Sequence, residues 1–149
     1  MLLGYYFVKP DQKGRIALPY KFRAELGPSL VVARWFEKCL VVINRESWGV
    51  MVHNLTGGEL ATLSARDTDR FLLGGSFEVE LDKQGRFVVP TALRSFAGIK
   101  GEVVIVGLGQ RVEIWGKERW EDREKKLQNE AGEKVEKLYR DKRGKNGDE

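Results

Sequence analysis

With 149 residues, 42% of them apolar and 32% charged, the chain has the composition of an ordinary globular protein. A single cysteine, Cys39, excludes an internal disulfide framework. A single histidine, His53, excludes a His-based catalytic triad or a histidine-rich metal site. No apolar run approaches the ~18 residues of a membrane span, and the sequence therefore predicts a cytoplasmic protein without a membrane segment.

The net charge of +4 is concentrated in the first half of the chain. Residues 1–76 carry ten Lys and Arg against seven Asp and Glu, and residues 77–120 carry seven against six. The remaining tail carries nine of each sign. Such a balance is compatible with a nucleic-acid partner but does not identify one.

Short strands and helices alternate along the first half. Residues 5–9 are rich in aromatic and β-branched residues and predict a strand. Residues 11–14 predict a tight hairpin turn, in which Gly14 adopts a positive φ. The elements predicted next are a strand over 15–18, a helix over 20–26, strands over 30–34 and 39–43, and a helix that begins at an Asn44 N-cap.

The second half repeats this order of elements. It predicts strands over 77–81 and 86–89, a helix over 91–97, strands over 103–106 and 112–115, and a helix from about Lys117. The domain organisation is therefore repeat 1 at 5–52, a connector at 53–76 with a helix over 59–73, repeat 2 at 77–123, and a tail at 124–149. The tail predicts a charged helix to about Arg143 with a narrow apolar stripe, then a disordered end. That stripe either packs on the body or a neighbouring subunit, or stays solvated.

The two halves are copies of one unit of roughly 45 residues. Asp11-Gln12-Lys13-Gly14-Arg15 returns 71 residues later as Asp82-Lys83-Gln84-Gly85-Arg86. Pro19 and Arg23 are matched by Pro90 and Arg94, and Trp48 by Trp120 after one insertion. Because a unit of ~60 residues hides only about 60% of its unfolded surface, the two copies are expected to share one core.

Cationic side chains surround the loop that occurs twice. Residues 9–23 contain five bases and one acid, whereas residues 80–94 contain three bases and two acids. A two-stranded ribbon fits the major groove of DNA, where arginine binds guanine O6 and N7 in bidentate fashion. Nearby lysines neutralise phosphates and set the affinity. The alternative is that Asp11 and Arg15 form only a turn ion pair. For the second copy, Asp82 and Arg86, a turn ion pair is the favoured interpretation.

Each residue of the first loop has an expected role. Asp11 orients Arg15 and closes the turn, and Arg15 and Lys13 face bases or phosphates. Arg23, on the helix behind, makes either a phosphate contact or an ion pair at the edge of the core. The complete set of predicted DNA-binding residues is Lys9, Asp11, Lys13, Gly14, Arg15, Lys21, Arg23, Asp82, Lys83 and Arg86.

The doubled Asp-x-x-x-Arg block, the start Met1-Leu2-Leu3-Gly4 and the run from Val112 to Trp120 resemble the MraZ family. The resemblance covers about residues 1–123. It implies a mainly β fold with short helices (α+β), in which two AbrB-like swapped-hairpin repeats form one pseudo-twofold, β-barrel-like body followed by a C-terminal helix. Pro10 departs from the family pattern, because an apolar strand residue commonly precedes the Asp. A proline there removes a ladder donor and stiffens the entry to the turn.

The resemblance also implies a function. It implies a nucleoid-associated transcriptional regulator of the division and cell-wall gene cluster, which assembles into rings and binds short G-rich direct repeats in double-stranded promoter DNA. Asp11 with Arg15 and Asp82 with Arg86 are implied as the DNA-binding surface. No enzyme, metal or cofactor is expected.

Two other functions remain open from the sequence. One is a ring-forming scaffold whose repeat loops bind a protein. The other is a binder of single-stranded RNA, in which Tyr5, Tyr6 and Phe7 stack bases, although core positions are the expectation for these aromatics.

Overall fold

The computed structural model describes the backbone of residues 1–147 and the side chains of residues 1–144. The chain divides into a compact body, Met1–Lys117, and a second unit that begins at Glu118. Repeat 1 comprises β1 (Leu2–Val8), β2 (Arg15–Ala17), α1 (Tyr20–Leu26), β3 (Ser29–Arg34), a 3-10 turn (Phe36–Lys38), β4 (Leu40–Asn44) and α2 (Arg45–Thr56). Next come α3 (Leu63–Leu72) and the matching β5 (Ser76–Glu80), β6 (Arg86–Val88), α4 (Thr91–Ala97), β7 (Val103–Gly109), β8 (Val112–Gly116) and α5 (Lys117–Gly147).

The strands of the two repeats are exchanged. Six strands form one antiparallel sheet in the order β1-β7-β8-β4-β3-β5, and β2 pairs with β6 as a separate two-stranded ribbon. Thus β1 of repeat 1 lies against β7 of repeat 2, and β5 of repeat 2 lies against β3 of repeat 1. The mixed α+β fold with two swapped-hairpin repeats and a C-terminal helix, expected from the sequence, is confirmed.

The hairpin predicted around residues 11–14 does not form between its own flanking strands. Instead of pairing with each other, β1 pairs with β7, and β2 pairs with β6, placing Ile16 opposite Phe87. The loop does turn as expected, with Gly14 at φ 79°. Exchange is favoured because Ile16 and Phe87 both point into the shared core, where each is less than 5% exposed.

One core holds both repeats together. Its residues come from the ribbon, from α1 and α4, and from one face of the sheet. Phe22 of α1 and Leu93 of α4 occupy equivalent positions, and both are almost fully buried. Both repeats contribute to this single core, as expected for two copies of a unit of roughly 45 residues.

Helices from the first repeat and the connector cover the other face of the sheet. On α2, Trp48 and Val52 are buried, and on α3 Leu72 is fully buried. Asn44 caps α2 as predicted, accepting a 2.8 Å hydrogen bond from the Ser47 amide. The connector helix begins at Leu63, later than predicted, because Thr62 caps it with a bond from the Ala65 amide.

The aromatic side chains of β1 are not core residues, contrary to the expectation. Tyr5, Tyr6 and Phe7 are 41–49% exposed. The reason is that β1 forms an edge of the sheet and only one of its faces meets the core, where Leu2 is buried and the Tyr6 ring contacts Phe22.

The second unit is helical from Glu118 through Gly147, four residues beyond the predicted end. Leu127, Val135 and Leu138 of the predicted stripe are 41–62% exposed. The remainder of the segment predicted to be disordered, 148–149, lies outside the described residues.

Candidate nucleic-acid interface

The first loop is held by one carboxylate. Asp11 Oδ1 accepts hydrogen bonds of 2.9 Å from the backbone amides of Lys13 and Arg15. Its other oxygen, Oδ2, accepts a 2.7 Å hydrogen bond from Nε of Arg15. The amide of Gly14 donates back to the Asp11 carbonyl at 2.9 Å, a turn for which the positive φ of glycine is well suited. The Asp11 side chain and the turn at Gly14 therefore close the loop and place Arg15 at its exit.

The second loop repeats these bonds atom for atom. Asp82 accepts from the amides of Gln84 and Arg86 and from Nε of Arg86, each at 2.9 Å. Gly85 has a φ of 74° and donates to the Asp82 carbonyl. Pro10, which has no counterpart in the second loop, does not change this set of bonds. Strand β1 ends at Val8, so that Pro10 lies outside the ladder and removes none of its hydrogen bonds.

Strand exchange brings the two loops together. In the β2–β6 ribbon, Arg15 lies opposite Val88, and Ala17 lies opposite Arg86. Consequently Nη1 of Arg86 is 3.6 Å from Asp11 Oδ2, so this carboxylate contacts an arginine from each repeat. The two loops, which the sequence predicts to differ electrostatically, thus meet in one cluster of two carboxylates and two guanidinium groups.

The arginines are paired but remain accessible. The side chain of Arg15 is 30% exposed and that of Arg86 is 27% exposed. Asp11 engages only Nε of Arg15, and the two Nη groups donate to none of the residues that the structure describes. The turn ion pair that the sequence left open as an alternative is thus present. It fixes the guanidinium group through Nε and leaves the Nη groups available to donate to a base.

The four lysines predicted to bind DNA lie at the surface. Lys9, Lys13, Lys21 and Lys83 are exposed, Lys9 just after β1, Lys21 on α1, and Lys13 and Lys83 within the loops. Lysines in such positions supply phosphate contacts rather than base readout.

Among the described residues Arg23 does not form an ion pair, one of its two expected roles, and the other, a phosphate contact, stays a prediction. Its Nη1 donates to the backbone carbonyl of Gln84 in the second loop, and its guanidinium lies 5.3 Å from the centre of the Tyr20 ring. It therefore supports the loop of the opposite repeat. The sequence did not predict this contact, which depends on the exchange of strands.

Both loop carboxyls have a lowered pKa. The backbone amide of Arg15 stabilises the anionic form of Asp11 and is the main cause of its lowered pKa, with the Arg15 side chain adding to the effect. The Arg86 amide lowers the pKa of Asp82 in the same way. The carboxyl groups of both loops are therefore ionised at neutral pH.

Among the described residues, no cluster of His, Cys, Asp and Glu side chains is suited to holding a metal ion. No described helix has an apolar stretch able to cross a membrane.

Two interleaved hairpin repeats with paired Asp-x-x-x-Arg loops define a tandem swapped-hairpin protein.

Comparison with known sequences identifies the family. The family model described as "MraZ protein, putative antitoxin-like" matches residues 1–71 and again 72–141. A protein of Halothermothrix orenii named Transcriptional regulator MraZ is 42% identical over 120 residues, which are 80% of this chain and 84% of that protein. Its namesakes in Syntrophomonas wolfei and a Thermoanaerobacter species are 38% and 43% identical, over 93% and 82% of this chain and 96% and 85% of their own lengths.

The chain therefore belongs to the MraZ family of transcriptional regulators. Its class is regulatory and not enzymatic, as the sequence predicted.

Proposed function

We propose that this protein binds double-stranded DNA at short G-rich direct repeats in its own promoter, within the division and cell-wall gene cluster, and regulates transcription there. The proposal rests on the hydrogen bonding of Arg15. Its Nε donates to Asp11, while both Nη groups have no partner among the described residues. A guanidinium held in this way matches the acceptors O6 and N7 of guanine. The protein then acts in the cytoplasm, at the nucleoid.

The narrow β2–β6 ribbon and its flanking loops are the element that enters the major groove. Lys9, Lys13, Lys21 and Lys83 contact phosphates, whereas Asp11 and Asp82 hold the loops in shape. Gly14 allows the first turn, and Arg23 supports the second loop from behind. In this arrangement Arg15 and Arg86 lie close enough, through Asp11, to reach the same stretch of duplex.

The protein binds as a ring-shaped homo-oligomer in this proposal. A loop that reads a few base pairs binds weakly, and linking several loops raises the avidity by ~10²–10⁴. Support for self-association comes from the edge strand β1, where Leu3, Tyr5 and Phe7 project from the same face and are 47–61% exposed. Direct repeats match a head-to-tail ring, since successive subunits share one orientation.

The test is a mobility shift on the DNA upstream of the coding region. Fragments with one and with three repeats are compared, and Arg15→Ala serves as the control protein. Binding to three repeats is expected to be far tighter than to one, and the variant is expected to lose the sequence preference. Equal affinity for both fragments would exclude the ring-avidity model.

The same exposed β1 face also favours the second candidate, a scaffold whose loops bind a protein. Salt dependence separates the two functions. Each phosphate contact lowers log K by about 0.9 per decade of salt concentration, whereas a protein complex has no counterion release from DNA.

A further inference from the structure

A small cationic pocket lies beside the first loop, at its junction with repeat 2. Its walls include Gly14 and Ile16 of repeat 1 and Val89, Arg94, Ile99 and Lys100 of repeat 2, around a volume of about 270 Å³. Both charged side chains that line it are cations. The pocket lies outside the Asp-x-x-x-Arg cluster, and Lys100 is not among the residues that the sequence motif selects.

The pseudo-twofold partner of this pocket has a different character. It is lined by Arg23, Lys83 and the acid Asp82, and Arg23 is engaged with the Gln84 carbonyl and the Tyr20 ring. At the position of Lys100 the first repeat has Ser29, 71 residues earlier. Each pocket is therefore lined by two cations, but only the pocket beside the first loop has no acid on its wall.

The two cations of the first pocket are available for a ligand. Lys100 is exposed and makes no hydrogen bond or ion pair within the described part of the chain. The described hydrogen bond of Arg94 is a 3.4 Å contact from Nη2 to the Val89 carbonyl, at the long limit for such a bond. A cavity with a free ammonium, a loosely held guanidinium and no carboxylate is suited to an anion with several oxygen acceptors.

We propose that this pocket binds a phosphate group of the DNA backbone next to the base pair that Arg15 reaches. The inference rests on the proposed function and adds Arg94 and Lys100 to its surface. Repeat 2 thereby fixes the position of the DNA strand that repeat 1 reads. In the related pocket, Asp82 lies on the wall and Arg23 is already engaged, so that pocket holds a phosphate less firmly.

Lys100→Ala tests the proposal, because an exposed lysine without partners can be removed with little effect on folding. The full-length protein is titrated with the repeat-containing duplex and with a scrambled duplex of equal length, over a range of salt concentrations. Affinity is expected to fall by the same factor for both duplexes. The slope of log K against log salt is expected to become shallower by about 0.9 for each subunit on the DNA. Lys100→Arg restores both quantities.

Arg45→Ala is the matched control. It removes one exposed positive charge from α2, on the helix-covered face of the sheet, where Arg45 pairs with Glu78. Its slope and affinity are expected to equal those of the wild type. An equal loss in Arg45→Ala would mean that net charge alone is measured, and the subsite would be rejected.

Other outcomes overturn the proposal in distinguishable ways. If Lys100→Ala binds like the wild type, the subsite is absent and the proposed function stands. A loss confined to the repeat duplex would assign Lys100 to base readout instead. If inorganic phosphate shifts the NMR signals of Lys100 at millimolar concentration while DNA affinity is unchanged by the substitution, the ligand is a free anion. A wild type without affinity for either duplex would refute the proposed function itself.

Discussion

Asp11 of repeat 1 and Arg86 of repeat 2 lie 3.6 Å apart, although 75 positions separate them in the sequence. Asp82, the counterpart of Asp11, is described with only one arginine partner, Arg86. The equivalent carboxylates therefore have unequal numbers of contacts. The difference arises at the ribbon, where Arg86 reaches the carboxylate of the first loop but no contact of Arg15 with Asp82 is described.

The asymmetry predicts that Asp11→Asn lowers the thermal unfolding midpoint more than Asp82→Asn. Both variants weaken the carboxylate bonds of one loop, but only the first also removes the attraction between repeats. Scanning calorimetry on the two variants and the wild type measures the difference. Identical midpoints would show that the contact between Asp11 and Arg86 has no energetic effect.

A pH dependence follows from the lowered pKa of Asp11 and Asp82, whose ordinary value is 3.8. In the unfolded chain these groups take up protons near that value, whereas in the folded loops they stay ionised to lower pH. Their stabilisation is therefore fully present above the unfolded pKa and is lost as pH falls through the folded pKa. Urea unfolding at several pH values below about 5 should show stability falling with pH, and the fall should be smaller in the Asp11→Asn, Asp82→Asn double variant.

The loop glycines provide a matched pair of substitutions. Gly14→Ala places a methyl group at φ 79°, where the nearest atom is Arg94 Nη2 at 3.9 Å, and it should cost only the left-handed backbone strain of about 1–2 kcal/mol. Gly85→Ala has the same strain, but its methyl group also collides with the Arg23 side chain. Displacing Arg23 breaks its bond to the Gln84 carbonyl and should add about 1 kcal/mol.

Urea titrations of Gly14→Ala and Gly85→Ala give the two free energies of unfolding. A third protein, Gly85→Ala with Arg23→Ala, separates collision from strain, because the side chain that obstructs the methyl group is then absent. If Gly14→Ala proved the more destabilising of the single variants, the supporting role of Arg23 would be contradicted.

Much of this fold can be predicted from the sequence, because the repeat contains its own local signals. Asp11 and Gly14 specify the loop, and Asn44 specifies the start of α2, in each case through bonds to residues two to four positions away. The contact of Arg23 with Gln84 joins residues 61 positions apart, and the exchange of strands pairs Val8 with Val103, 95 positions away. No local pattern encodes such contacts. The sequence does not indicate the exposure of Tyr5 either, because the sequence of an edge strand resembles that of a central strand.

The cationic pocket illustrates the same distinction at the level of the site. Lys100 lies outside the motif and becomes a candidate only when α4 and the first loop are seen together. A residue-by-residue comparison of the repeats, which sets Lys100 against Ser29, would have been the available signal.

The predicted DNA-reading roles of the two arginines are unequal. The first loop is surrounded by five bases and one acid, and the second by three bases and two acids. Arg15→Ala is therefore expected to abolish specific binding, removing about 1–3 kcal/mol of base discrimination per bound subunit. Arg86→Ala should cost less, and neither change should alter the oligomeric mass. Fluorescence anisotropy with the repeat duplex, together with light scattering, provides both measurements. Comparable losses from the two substitutions would refute the inequality.

Removal of the tail tests whether the body is an independent folding unit. The clustered core residues run from Leu2 to Ile114, and none belongs to the helix beyond Glu118. A protein ending at residue 123 is therefore expected to unfold cooperatively, with a midpoint within a few degrees of the full-length protein. Its mass in solution shows whether the exposed stripe of Leu127, Val135 and Leu138 joins subunits. Because the loops lie entirely in the body, affinity for a single-repeat duplex should be retained. A truncated protein that fails to fold would show that the helix is part of the folding unit.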